Sequence, residues 1–216
     1  MSYNQTALAG MDLSRGHFPV VPLGTILDLV QYGTSEKANT RGQGVPVIRM
    51  NNIVDGILDL TNLKHIELRD GDRQKLTLYD GDILFNRTNS KELVGKCAVF
   101  HAAGEYVFAS YLIRVCAQAQ KADPDYITYA LNAAIGRQQI DALSRQIIGQ
   151  ANINSQELRS LQIPLPPLAV QRRIMEKVAA GRSRIARERD AARALASQID
   201  ADMEAYLLGT KKVGTT

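Results

Sequence analysis

Between residues 20 and 115 the apolar positions come in short bursts separated by Gly, Asn, Asp and Ser, whereas beyond residue 167 a row of apolar or small positions recurs three or four apart. The first pattern reads as strands and turns. Leu23–Val30 carries a short helix or strand that Gly33 ends, and Val45–Met50 reads as a buried strand. Asp55-Gly56 is a tight-turn signal between Ile53-Val54 and Ile57-Leu58. Tyr79-Asp-Gly-Asp turns the chain into a strand at Ile83-Leu84-Phe85, and a strand pair comes next, through Cys97–Phe100 and Tyr106–Val115. Asp123–Gln146 is predicted helical, with Pro124 near its start and Ile127, Leu131, Ile135 and Ile140 largely on one side. The charged stretch Ile66–Leu78 is expected to cross the surface, and Leu158–Leu165 to form the last strand.

The second pattern begins at Leu161–Ile174, LQIPLPPLAVQRRI. Pro164, Pro166 and Pro167 cannot donate backbone hydrogen bonds and push their predecessors towards extended conformation, so they end the element before them. Pro167 suits the first turn of a new helix. Ile174, Val178, Gly181, Ile185, Ala192, Leu195, Ile199 and Tyr206 then recur in a 4-3-4 spacing, interrupted at Glu188 and Asp202. This predicts a long amphipathic helix with a narrow seam suited to a partner helix. Roughly forty residues of helix would be ~60 Å long, more than one small domain covers. The expected layout is an arm or short helix over 1–18, a domain over 19–166, a long helix over 167–208 and a flexible tail over 209–216.

Charge sharpens that division. Residues 1–166 hold 16 Lys+Arg against 16 Asp+Glu, and residues 167–216 hold ten against six, which is the whole of the net +4. The globular part is therefore no uniform basic surface, and any contact with DNA falls to local basic loops. No apolar run approaches the ~20 residues that span a bilayer. The opening MSYNQTALAG has no secretory pattern. Cys97 and Cys116 are isolated, which suits a reducing cytoplasm.

Catalytic patterns fail one by one. Ser90 and Cys97 stand where a phosphate loop around Gly95-Lys96 needs Gly and Ser or Thr. His17, His65 and His101 are scattered, so no zinc site or other resident cofactor is expected. Asp80 and Asp82 flank Gly81 as paired carboxylates would in a nuclease, yet Asp-Gly-Asp before a strand is turn chemistry. What remains is three polar loops, Tyr32–Arg41, Asn86–Lys91 and Arg145–Asn154, each pairing a cation with amides or hydroxyls. Arg and Lys suit guanine edges and phosphates, and Asn and Gln suit adenine edges. The same composition also describes solvated turns.

Four strings raise the DNA reading: VPLGTILDLVQYGTSEKAN, GVPVIRMNNIVDGILDL, LYDGDILFNRTNSKELVGKCAVF and INSQELRSLQIPLPPLAVQRRI. In this order they resemble the target-recognition domain and spacer helix of the specificity subunit of type I restriction-modification systems, over about 190 residues from residue 21. Where that family usually has Glu before the hinge glutamine, this chain has Val170 before Gln171. The resemblance implies an α/β (α+β) recognition domain followed by one long coiled-coil helix. Its role would be non-catalytic, reading one half of a bipartite site in double-stranded DNA. Catalysis would belong to methyltransferase subunits, which hold the methyl donor S-adenosylmethionine, and to a restriction/translocase subunit. One domain and one helix resemble a half-subunit that an antiparallel homodimer, built on Ile174, Val178, Ile185, Leu195 and Ile199, would complete.

Tyr32, Thr34, Ser35 and Lys37, with Arg41, are the expected groove contacts, and Arg49 either reaches the groove or buttresses the first loop. Arg87, Asn89, Ser90 and Lys91 match the family motif, with Arg87 and Ser90 either touching DNA or bracing the loop. Gln150 and Asn152 complete the set. From another class, the competing expectation is a coiled-coil adaptor that binds protein and not DNA.

Overall fold

The computed structural model describes residues 16–90, 93–144 and 151–212. The arm therefore lies almost wholly outside the described residues, as do Lys91 and Gln150. The chain divides into two units, 1–172 and 173–216.

The first unit is organised around a four-stranded antiparallel sheet. Its strands, in spatial order, are β2 (Leu27–Tyr32), β11 (Leu112–Ala117), β7 (Ile83–Asn86) and β9 (Cys97–Val99). Alternate side chains of a strand face opposite ways, and in β7, β9 and most of β11 both faces are buried. Ile83, Phe85, Cys97, Ile113 and Val115 enter one core, whereas Leu84, Ala98 and Leu112 enter the other. Burial on both faces is why these strands read as continuous apolar runs instead of alternating ones.

The first core is covered by helices α2 (Pro124–Asn132), α3 (Ala134–Ser144) and α4 (Ser155–Ser160), together with a two-stranded ribbon of β1 (Val20–Pro22) and β13 (Gln162–Pro164). The second is covered by a mixed sheet. There β3 (Val45–Ile48) lies between β10 (Val107–Phe108), parallel to it, and β6 (Lys64–Ile66), antiparallel. Helix α1 (Asp70–Leu76) packs nearby. Hairpin β4 (Ile53–Val54) and β5 (Ile57–Leu58) turns at Asp55 and Gly56, both at positive φ (51° and 78°), as the Asp-Gly signal predicts. A last ribbon pairs β8 (Thr88–Asn89) with β12 (Ala151–Asn152).

Several expectations need correction. Cys97–Val99 does not pair with the strands after it: β9 pairs with β7, and Tyr106–Val115 is two strands in different sheets, broken at Ala109–Tyr111. Ile66–Leu78 is no simple surface crossing, since Ile66, Leu76 and Leu78 are buried and α1 lies between them. Of the predicted helix Asp123–Gln146, the described part to Ser144 is two helices meeting at Ala133. Leu158–Leu165 is the end of α4 followed by β13. There the Asn154 side chain accepts from Gln156 N and Glu157 N, and the Glu157 carboxylate accepts in return from Asn154 N, so a capping box starts a helix where a strand was expected.

A polar bracket sits at the centre of the main sheet. Arg114 is 6% exposed. Its guanidinium donates to Thr77 O (2.6 Å) and Lys75 O (3.0 Å) at the C-terminal end of α1, and to Gln31 Oε1 on the neighbouring strand. It also lies 3.4 Å from the buried Asp82 carboxylate, which accepts from Tyr79 N. Asp82 is thus committed to its turn and its arginine.

The paired aspartate Asp80 faces His101 instead: Nδ1 lies 2.8 Å from Asp80 and Nε2 3.2 Å from Asp125. Partial burial pulls the His101 pKa down, but hydrogen bonding and charge from Asp80 and Asp125 outweigh it, leaving it above its ordinary 6.5. A raised folded-state pKa adds stability that is full below the unfolded value and fades as pH rises through the folded one. Urea titrations at roughly pH 5.5 and roughly pH 8.5 should show His101→Gln costing stability at the lower pH and much less at the higher. An equal cost at both would refute the link.

Helix α5 (Leu168–Leu207) is one continuous element of 40 residues. Its first turn is fixed within the first unit by Gln171, which is fully buried. Gln171 Nε2 donates to Pro166 O (2.8 Å) and Lys121 O (3.0 Å), and its Oε1 accepts from Asp123 N (2.9 Å). In the second unit the seam residues Ile185, Leu195 and Ile199 are 53%, 60% and 54% exposed, and Met203 extends the row.

Candidate nucleic-acid interface

Because β11 runs antiparallel to both β2 and β7, the loops leaving those two strands emerge at the same sheet edge, beside the start of β11. The turn Ala109–Tyr111 is the hub there. Thr34 N donates to Phe108 O (3.0 Å), Ser110 N to Thr34 O (2.7 Å) and Ala109 N to Ile48 O (2.9 Å), so the ends of β2 and β3 are joined through it. Arg87 N donates to Tyr111 O (3.0 Å), and Ile153 N donates to Arg87 O (2.8 Å), which adds the end of β7 and the β8–β12 ribbon. Gly33 is required for this closeness: a Cβ there would stand inside contact distance of the Phe108 and Ala109 carbonyl oxygens. Parts of all three predicted loops therefore reach one face.

The individual side chains divide. The Arg87 guanidinium lies over the Tyr32 ring, 4.8 Å from its centroid, and the Tyr32 hydroxyl accepts from Ser155 N (2.9 Å) at the start of α4. These two residues form a clamp between the strand end and α4, which favours the bracing role for Arg87. Thr34 turns its hydroxyl back to accept from Glu36 N (3.1 Å). Ser35 and Lys37 are exposed, as are Arg41 and Ser90; Ser90 O also accepts from Leu93 N and Val94 N.

Arg49 is held by its backbone, its N–H donating to Asn52 Oδ1 (3.0 Å), while one guanidinium nitrogen reaches Asn62 O (3.4 Å). It lines a cleft of about 310 Å³ with Thr34, Ser35, Ser110 and Tyr111. Asn89 and Asn152 lie in the ribbon; Asn152 Oδ1 is buried with no hydrogen-bond partner among the described residues.

Two residues outside the expected contact set belong to this face. Ser110 and the exposed Tyr111 were hidden inside an apparent strand, although Ala109-Ser110-Tyr111 is a less apolar interruption between Val107-Phe108 and Leu112-Ile113.

Reactive groups lie elsewhere. Burial pushes the Cys97 thiol up to about 12, and burial with the nearby Asp82 carboxylate does the same for Cys116, so neither supplies a thiolate at neutral pH. Among the described residues no group of three or more His, Cys, Asp or Glu is placed to hold a metal ion. No helix of the described residues is long and apolar enough to cross a membrane.

The family model for the type I restriction modification DNA specificity domain matches residues 17–187, and the chain belongs to that family. Specificity subunits are the non-catalytic members of their systems. The chain is 32% identical over 154 residues to the protein named as the putative type I restriction enzyme MjaX specificity subunit of Methanocaldococcus jannaschii, covering 70% of this chain and 36% of that protein. It is 28% identical over 157 residues to the EcoKI specificity subunit of Escherichia coli K12, covering 71% and 34%. The chain thus spans about a third of the length of these relatives. Among solved structures, it resembles a chain from a type I R-M system studied for complex assembly and conformational transition (TM-score 0.61, 20% identity, 91% of this chain and 45% of that one). It also resembles the HsdS subunit of Thermoanaerobacter tengcongensis (TM-score 0.55, 22% identity, 82% and 40%). These likenesses are of fold.

Proposed function

We propose that this chain reads one half of a bipartite double-stranded DNA site through the face around Ala109–Tyr111. In this reading it directs methyltransferase subunits, which bind S-adenosylmethionine, and a restriction subunit to that site. The observation that carries the proposal is the convergence of the polar loops on one sheet edge, above a sheet whose inner strands are buried on both faces. A second copy packed antiparallel on the α5 seam would supply the other half-site. The exposure of Ile185, Leu195 and Ile199, continuous in register with Ile174 and Val178, supports a helix partner over a solvated face.

Titrating random-sequence duplex with the chain in complex with its methyltransferase, over a series of salt concentrations, separates this from the adaptor reading. DNA binding weakens steeply with salt; an adaptor does not bind at all. Sedimentation of Leu195→Glu and Ile199→Glu should give monomer where the parent gives dimer. A parent that is monomeric at all concentrations would remove the dimer.

Arg87 supplies a finer test. Arg87→Lys keeps the charge but loses the planar stack on Tyr32. We expect a stability loss of about 0.5–1 kcal/mol, the worth of an exposed cation–π contact, and a reduced preference for the specific site as the clamp loosens. If Arg87→Lys bound specific DNA as the parent does while Arg87→Ala bound all DNA equally weakly, Arg87 would be a phosphate contact and not a brace.

A further inference from the structure

The loop Thr34–Gly44 also lines a second concavity beside the Arg49–Tyr111 cleft, and a residue outside every predicted loop belongs to it. Asn39 N donates to His65 O (2.7 Å) and His65 N to Asn39 O (2.9 Å), so the loop is stitched onto β6. The Asn39 side chain then shapes the turn beyond it. Its Oδ1 accepts from Arg41 N (3.0 Å) and Gln43 N (3.3 Å), and its Nδ2 donates to Gln43 O (2.9 Å). The result is a fixed polar concavity of about 570 Å³ whose wall carries Lys37, Arg41 and Lys64, with Glu36 and Glu67 beside them. Among the described residues no ion pair engages any of the three cations. Three cations against two carboxylates leave the concavity positive, within a unit whose charges otherwise balance.

Glu36 and Ala38 line both this concavity and the neighbouring cleft, so the two sites adjoin along one loop. In protein–DNA recognition, cations on phosphates fix register while side chains at base edges choose sequence. We propose that Lys37, Arg41 and Lys64 form a seat for backbone phosphates of duplex DNA, which sets where the Arg49–Tyr111 cleft meets the bases. The inference rests on the DNA-reading function above and adds Lys64, a strand residue, to the contact set. Because the loop is already fixed by Asn39, binding orders little backbone, which keeps the entropic cost low.

The test uses the full chain in complex with its methyltransferase and two probes: a random-sequence duplex, and a duplex recovered by methylation-site mapping. Lys64→Gln and Arg41→Gln should each weaken binding to both probes by the same factor and lower the slope of log K against log salt by about 0.9, one phosphate contact. Glu67→Gln should tighten binding to both. A parent that fails to bind either probe removes the DNA reading and the seat together. A parent with steep salt dependence, beside Lys64→Gln and Arg41→Gln variants of unchanged slope, removes the seat alone. Loss confined to the mapped duplex would make Lys64 a base contact and overturn the phosphate assignment.

Discussion

Arg114→Ala is expected to cost about 3–5 kcal/mol of folding stability, the penalty for stripping one partner from a buried, hydrogen-bonded ion pair. Its guanidinium is almost entirely buried and has four acceptors: Gln31 on β2, Asp82 at the turn into β7, and two carbonyls at the end of α1. Removing it leaves the Asp82 carboxylate buried without its cation, and leaves the α1 carbonyls without the positive charge that a helix C-terminus favours. The Phe108 ring, 5.5 Å from the guanidinium carbon, loses its neighbour as well. Urea denaturation of the isolated chain measures the effect. A double-mutant cycle with Asp82→Asn should show that the two losses are far from additive. A cost near 1 kcal/mol for Arg114→Ala, with no coupling to Asp82, would mean that the bracket is held by packing alone.

The second large effect is on geometry. Deleting Arg187–Arg193 joins Ala186 to Ala194 and removes ~10.5 Å of helix. It nearly keeps the seam in phase, because seven residues are close to two turns. Leu195 then takes the place of Glu188, one of the two breaks in the apolar row. In an antiparallel dimer the recognition units lie at opposite ends, so their separation should shrink by a heptad's length or somewhat more. That corresponds to ~3 base pairs or more of the unread gap, at ~3.4 Å per pair. Methylation-site mapping should recover both half-site sequences with a shorter gap. A four-residue deletion would instead rotate the seam away and cost assembly. An unchanged gap in a correctly assembled complex would eliminate the helix as the measure of spacing.

What could be read from the sequence was what local chemistry decides. Asp55-Gly56 dictates its hairpin because few other residues tolerate two successive positive φ values, and α5 announces itself by a seam repeated over many turns. Pairing partners were not legible. Nothing near Cys97–Val99 says that β7 lies beside it, because that choice is made by two cores meeting on opposite faces of one sheet. Residues Leu158–Leu165 look strand-like because Leu158, Leu161 and Ile163 are all buried. Yet Asn154 followed three residues later by Glu157 is a helix-start signal that outweighs that pattern. At the candidate interface the loops were visible as composition, but their meeting point was not. Tyr111 and Lys64 sit in or beside strands, and only the fold brings them to the loops. Arg87 and Tyr32 could be singled out one by one, whereas their stacking on each other is a tertiary fact.

The bracket beneath the interface has a consequence for how new specificities arise. Arg114, Asp82 and Gln31 hold the sheet from the side of the second core, and the Arg87–Tyr32 clamp holds the loop bases. The residues that would meet DNA bases, Ser35, Ser110 and Tyr111 among them, carry little of that load. Side chains at those positions can therefore be exchanged at small cost in folding, since surface substitutions away from such features usually stay within about ±0.5 kcal/mol. Retargeting then becomes a search over a few positions lining the cleft on an unchanged frame. A library randomised at Ser35, Ser110 and Tyr111 should yield mostly folded chains with altered methylation sites, whereas one randomised at Gln31, Asp82 and Arg114 should yield mostly unfolded ones.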